Sequence, residues 1–326
     1  MNENVKPKVI ISKCIEFDFC RFNGQIIRNE FINKSKNYID YIPICPEVEI
    51  GLGIPRNPIR IVEENNKKQL IQPANNKNIT NNMNDFCNNF LNSLNDIDGF
   101  ILKSQSPSCG IKDVKIYPHM NNSAPKYRDS GFFGNKVIEK YGYLAIEDEN
   151  RLRNTLIKEH FLRKIFTLSK FRNTSKLTNI KDLIDFHTKN KYLLMSYNQK
   201  NLKEMGNLVA NHTNEPINTI LEKYQNLVYN TFSKGMRCNS NVNILQHAYG
   251  YISKKISSKE KKLFFDQIEN YRNKKIPLEI PLAILKSWII RFDESYLKKQ
   301  TFFEPYPIDL HEPEAVNICP SKDYWK

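Results

Sequence analysis

With 326 residues, 40% of them hydrophobic and 26% charged, the chain is long enough for two domains with cores of ordinary size, so neither a disordered chain nor a small disulfide-stapled scaffold fits. No apolar run reaches the roughly 18 residues of a membrane span, and the polar start, Met1 to Pro7, lacks the apolar stretch of a secretory signal. A cytoplasmic protein is expected, with seven cysteines that are reduced or bind metal rather than pair.

The formal charge of +14 is uneven. Residues 1 to 150 carry 19 basic and 18 acidic side chains, against 30 and 17 in the remainder. A second half near +13 points to a polyanion, most simply nucleic acid, although lysines also solvate helix faces.

In chain order, Val9 to Ser12 reads as a buried strand running into Lys13 and Cys14, and Cys20 to Gly24 follows as a loop with an Asn-Gly turn. The Cys14–Cys20 spacing is not that of a standard zinc knuckle. Tyr41 to Ile44 is a second strand ending at Cys45-Pro46-Glu47. After Gly51 and Gly53, the stretch Ile54 to Val62 sets Arg56 and Arg60 around two prolines in a rigid loop, where the guanidinium groups can meet a phosphate or carboxylate or stand unpartnered on the surface. Ile59 to Val62 and Gln69 to Gln72 suggest a hairpin. Phe86, Phe90, Leu91 and Leu94 lie at helical spacing, with Cys87 expected to be structural.

Gly99 to Leu102 is a third apolar strand, and it breaks into Ser104-Gln105-Ser106-Pro107-Ser108-Cys109-Gly110. In an open α/β sheet, ligands bind beyond the carboxyl ends of parallel strands, so Cys14, Cys45 and Cys109 can meet at one edge as metal ligands. Buried cysteines filling a core are the competing reading for each. Asp129 to Gly134 reads as a flexible turn and Tyr141 to Ile146 as the last strand, with Glu147 to Glu149 closing an α/β domain, 1–150, built on a mostly parallel central sheet.

From Arg151 the pattern becomes helical, basic and aromatic, an all-α domain over 151–310 with a proline-punctuated tail, 311–326. Leu156, His160, Phe161, Ile165, Leu168 and Phe171 share a helical stripe. Arg153, Lys158, Arg163, Lys164, Lys170 and Arg172 fill the rest of that helix and are candidate RNA contacts. Further helices are expected near 179–189, 191–211, 216–233, 240–255, 258–274 and 282–297. His160, His187, His212 and His247 lie on helices and are not taken as catalytic.

The cysteine loops, from Ile11-Ser12-Lys13-Cys14 through Cys45-Pro46-Glu47-Val48, Pro55-Arg56 and Lys103 to Ser106-Pro107-Ser108-Cys109-Gly110, resemble the thiouracil desulfidase family (DUF523) over residues 7 to 147. The second half resembles the DUF1722 (YbgA-type) domain. That likeness is carried by His160-Phe161-Leu162-Arg163, Phe186-His187, Lys191 to Met195, Asn243 to His247 with Gly250-Tyr251, and Pro305-Tyr306-Pro307. Asn241 stands where that pattern often has His, and Phe22 where the first has Tyr.

Chains fusing these modules resemble bacterial desulfidases that return 4-thiouridine in tRNA to uridine. The resemblance implies a 4Fe-4S cluster on Cys14, Cys45 and Cys109, with one iron open and Cys20 in reserve. Cys87, Cys238 and Cys319 are expected to be bystanders. Glu47 is the expected base for the attacking water, and Ser106 and Ser108 are candidates for binding the pyrimidine, orienting water or only capping the turn. Two alternatives are a desulfidase of free thiouracil or thiouridine monophosphate, and a non-enzymatic RNA-binding protein with a structural metal site.

Overall fold

The computed structural model describes residues 5–120, 123–176 and 178–311. They form two compact units, one of residues 6–165 with 307–311, the other of residue 5 with 166–306. The expected 311–326 tail lies, apart from His311, outside the described residues.

In the first unit, β1 (Lys8–Ser12) buries Val9, Ile10 and Ile11 completely. Helix α1 (Glu30–Ser35) leads to β2 (Asp40–Ile44), and α2 (Pro46–Glu49) follows at once. A hairpin, β3 (Arg60–Glu64) and β4 (Lys67–Gln72), then the short β5 (Lys77–Asn78), precede α3 (Thr80–Ser93). Beyond it come β6 (Gly99–Leu102), β7 (Val114–Tyr117), β8 (Tyr127–Asp129), α4 (Phe132–Tyr141) and β9 (Ala145–Asp148).

The expected parallel sheet is present as four strands in the order β2-β1-β6-β9, every pairing parallel. Its central strands are apolar runs without alternation, as strands covered on both faces require. A second sheet, β5-β4-β3-β7-β8, contains the hairpin and joins it to β7 in parallel. Only the hairpin was legible, because β5, β7 and β8 are two to four residues long.

Two further expectations are corrected. Asp129 to Gly134 is no flexible turn but the end of β8 and the start of α4, and Tyr141 ends that helix instead of opening a strand. Its hydroxyl donates to the Leu91 carbonyl, tying α4 to α3.

Helix α5 (Thr155–Lys176) contains the point, between Ile165 and Phe166, where one unit gives way to the other, beyond the boundary expected near 150. The basic face expected along it is not a surface feature. Lys158 is buried with its ammonium 5.1 Å from the centre of the Phe31 ring, Arg163 is ion-paired with Glu159 at 2.7 Å, and Lys164 donates to the Leu144 carbonyl at 2.8 Å. Lys170 reaches the Pro305 carbonyl, and Arg172 is half-buried. Of the six candidate RNA contacts only Arg153 is exposed. These long side chains bury their stems and find acceptors in the protein, which a count of charges cannot show.

Burial lowers the pKa of Lys164 to about 8 from 10.5. Between those values the unfolded chain binds a proton that the folded chain does not, so stability rises with pH from about 8 to 10.5. Lys164→Met is expected to flatten this rise, as read from urea unfolding midpoints of both proteins between pH 7.5 and 10.

The second unit is helical: α6 (Ile180–Tyr197), α7 (Gln199–Ala210), α8 (Ile217–Thr231), α9 (Cys238–Ile252), α10 (Ser258–Arg272), α11 (Glu279–Arg291) and α12 (Ser295–Lys298). The first break falls at Asn198, whose side chain accepts from the N–H groups of Lys200 and Asn201, not near residue 190. Helix α10 begins at Ser258, as expected, behind a capping box between Ser257 and Glu260. Tyr224 is fully buried, stacked on Phe171 with its hydroxyl 3.0 Å from His187 Nδ1. No helix among the described residues is long and apolar enough to cross a membrane.

Candidate active site

Strands β2, β1 and β6 are adjacent and parallel, so their carboxyl ends share one edge of the sheet. Cys14 lies two residues past β1, Cys45 directly follows β2 as the residue capping α2, and Cys109 sits in the loop after β6. All three, with Cys20, line a cavity of about 310 Å3 together with Glu47, Arg56, Lys103 and Ser106. Cys87 and Cys238 are elsewhere, on α3 and α9, and Cys319 lies outside the described residues.

As free thiols Cys20, Cys45 and Cys109 hold their protons. Burial pushes Cys109 up to about 12 against the hydrogen bond to Ser12, and the hydrogen bond between Cys20 and Cys14 pushes Cys20 up to about 12. Cys45 is raised by its hydrogen bond with Cys20 and by burial. Only a strongly positive centre would draw them off as thiolates, so loading should release protons.

Among the described residues no three of these sulfurs lie within 4.8 Å of one another. Zn–S bonds of about 2.3 Å would bring tetrahedral ligands to roughly 3.8 Å apart. Cysteine thiolates are the usual donors of a polynuclear iron–sulfur centre.

Glu47 is the second residue of α2, after Pro46, which begins the helix without needing a backbone donor. Its Oε1 accepts from Ser108 Oγ at 2.6 Å, and its Oε2 accepts from Arg56 Nε at 2.8 Å and Nη2 at 2.7 Å. Arg56 is nearly inaccessible, its side chain 4% exposed, and its Nη1 also donates to the carbonyls of Cys20 and Gly53. Of the two partners open to Arg56 from its loop, the carboxylate is the one realised. A carboxylate has about four acceptor positions, so these three bonds fix Glu47 and leave one for water. Sequence reasoning missed this pairing because the partners lie nine positions apart, across the end of α2 and an irregular loop.

Ser106 Oγ accepts from the N–H groups of Ser108 and Cys109, closing the turn that presents Cys109. Ser108 is fully buried, its hydroxyl donates to Glu47, and it is not among the residues lining the cavity. The turn is then held by α4: Phe132 N–H donates to the Pro107 carbonyl, while those of Phe133 and Gly134 donate to the Ser108 carbonyl. The unsatisfied donors of a helix start are thereby matched to the loop's carbonyls. Glu149, expected only to end the domain, is buried and accepts from Lys103 Nζ at 2.6 Å, Ser104 N at 2.8 Å and Ser104 Oγ at 2.7 Å.

Residues 9–149 match the family model described as 2-thiouracil desulfurase, and residues 191–307 match that of DUF1722, a protein of unknown function. Two family models thus match successive stretches of the chain. The uncharacterized protein YbgA of Escherichia coli K12 is 26% identical over 126 residues, 38% of this chain and 75% of that protein. Among solved structures, a [4Fe-4S]-dependent thiouracil desulfidase, TudS, is similar at 23% identity with a TM-score of 0.36, covering 45% of this chain and 94% of its own.

The stretch matching the desulfurase model contains the whole cavity and every cysteine around it. In the DUF1722 module, Asn241 Nδ2 donates to the Tyr271 hydroxyl at 2.9 Å, and its Oδ1 is buried with no partner among the described residues.

Proposed function

We propose that the protein is a non-redox desulfidase that removes sulfur from 4-thiouridine in tRNA, giving uridine and sulfide. The observation that carries this reading is Glu47, held by Arg56 and Ser108 on the wall of a cavity ringed by cysteines. Cys14, Cys45 and Cys109 would hold a 4Fe-4S cluster, whose open iron would supply a Lewis acid for the thiocarbonyl sulfur. Cys20, fully buried between Cys14 and Cys45, is the reserve thiol.

The remaining chemistry belongs to the chain. A water accepted at the free position of Glu47 gives up a proton to the carboxylate as its oxygen bonds the ring carbon. Arg56 and Ser108 keep that carboxylate from rotating, and the carbon–sulfur bond breaks with sulfur leaving as hydrosulfide. Water and the thiocarbonyl become a carbonyl and hydrogen sulfide, so no electron donor is needed. Lys103 is on the cavity wall, with its ammonium anchored by Glu149.

Support for tRNA comes from the basic excess beyond residue 150, now carried by exposed side chains such as Lys191, Lys203, Lys254 and Lys262 instead of α5. Binding through phosphates should weaken steeply with salt. The desulfurase module's cavity needs nothing from the helical unit, which favours as a second reading the desulfidation of free thiouracil or thiouridine monophosphate. A metal-holding RNA-binding protein without activity is the third.

The test is anaerobic. Protein is assayed for iron, zinc and acid-labile sulfide, then incubated with tRNA containing 4-thiouridine and with free thiouracil, and nucleosides are read by mass spectrometry. Iron with loss of 4-thiouridine is expected, and Cys109→Ala should lose both. Zinc without turnover would leave the RNA-binding reading, whereas turnover of thiouracil alone would leave the second.

A further inference from the structure

Of the described cysteines five are buried, and Cys238 alone is half-exposed. It opens α9, a helix of 15 residues with no side-chain cap, and it takes no part in the cysteine cavity. We propose that Cys238 is a modification site, oxidised by hydrogen peroxide to a sulfenic acid that Tyr271 and Asn241 hold in place.

Three side chains make the site. Asn241 follows Cys238 by three positions, so the two share one face of α9, a turn apart. Tyr271, near the end of α10, brings its hydroxyl to both: it accepts from Asn241 Nδ2 at 2.9 Å and is hydrogen-bonded to the Cys238 sulfur. An amide N–H can only donate, so the hydroxyl oxygen takes that bond and its own hydrogen is left for the sulfur. Burial, against the bond from Asn241, pushes Tyr271 up to about 12, and the neighbouring charges of Cys238 and Glu279 act with it, so the hydroxyl keeps its hydrogen. The open N–H groups at the start of α9 are further donors for the negative charge that a sulfur carries when it attacks.

Asn241 supplies the observation that points beyond a bare thiol. The residue is 4% exposed, and its Oδ1 is a buried acceptor with no partner among the described residues. Buried acceptors are rarely left open. A sulfenic S–OH one turn before it on the helix carries the hydrogen that this oxygen lacks.

In the step itself the sulfur attacks one peroxide oxygen, and the S–O bond forms as the O–O bond breaks. Sulfur is oxidised by two electrons, the peroxide is reduced, and its second oxygen leaves with the thiol proton as water. The new O–H then donates to Asn241 Oδ1.

The test uses the full-length protein, treated with a slight excess of hydrogen peroxide in the presence of dimedone, which traps sulfenic acids. Adducts are quantified peptide by peptide by mass spectrometry. Cys238 is expected to be labelled roughly tenfold more than Cys87, which is fully buried on α3. Tyr271→Phe should slow that labelling roughly tenfold, the worth of a hydrogen bond to a charged group. Asn241→Leu, of nearly the same size, should shorten the life of the sulfenic acid severalfold, as read by adding dimedone at intervals after catalase has removed the peroxide.

Labelling of Cys238 no greater than that of Cys87 overturns the proposal, and so does a labelling rate and sulfenic lifetime unchanged in both variants. A change in either variant supports the role of the residue replaced. Circular dichroism reports whether each variant folds, and the ratio of Cys238 to Cys87 in the parent chain decides without them. Neither iron nor turnover enters this readout, so its outcome is separate from that of the desulfidase reading.

Discussion

Replacing Glu47 with Gln is expected to lower sulfide release from a thiolated pyrimidine by about 10^2- to 10^4-fold, the usual contribution of a placed general base, with iron content unchanged. The amide is close in size to the carboxylate and can turn its oxygen to Arg56 and its NH2 to the Ser108 hydroxyl, which accepts as well as donates. The ring of cysteines is thus left as it is, and only proton acceptance is removed. Iron and acid-labile sulfide measured beside single-turnover rates check this. A rate within a few-fold of the parent would assign Glu47 to structure alone, as the buried partner of Arg56.

Replacing Gly134 with Ala is expected to abolish both iron binding and turnover and to lower stability by about 1–3 kcal/mol, the usual cost of overpacking. An added Cβ would lie 2.8 Å from the Cys109 carbonyl oxygen and closer still to that of Gly110. Both obstacles are backbone, so no side-chain rotation relieves them. The start of α4 would have to withdraw, breaking the bonds from Phe133 and Gly134 to the Ser108 carbonyl that hold the Cys109 turn. Gly250→Ala on α9, where nothing lies within 4 Å of the added atom, is the control and should be neutral or stabilise by up to about 1 kcal/mol. Denaturant unfolding and iron analysis of the two variants distinguish a local clash from a general effect of losing a glycine.

Much of the first unit was legible because its signals are local. The runs Val9–Ser12 and Gly99–Leu102 are too apolar to be anything but buried, and each is followed at once by the residues that interrupt it. Placing Cys14, Cys45 and Cys109 together needed only the further rule that parallel strands present their carboxyl ends on one edge. Strands β7 and β8 escaped because a four-residue alternation such as Val114 to Tyr117 resembles many loops until a partner strand supplies its register.

The reading of α5 failed for a different reason. Counting Lys158, Arg163, Lys164 and Lys170 as a charged face assumes that a long cationic side chain is solvated. Here carbonyl oxygens of Leu144 and Pro305, the Glu159 carboxylate and the Phe31 ring take the place of water. Apart from Glu159, one turn before Arg163 on the same helix, these partners come from segments distant in the chain, and no periodicity within the helix reports them.

The sequence by itself determined the two-part composition, the strands that carry the cysteines, and the residue types able to bind metal and move a proton. Those follow from hydrophobic runs, turn residues and side-chain chemistry, which are properties of neighbours along the chain. Tertiary structure alone decided that Arg56 locks Glu47, that Ser108 faces the carboxylate and not the cavity, and that α4 clamps the Cys109 turn. Each of these is a contact between segments brought together by strand order and register, and a hydrogen bond or ion pair of about 3 Å is specified only when both backbones are in place.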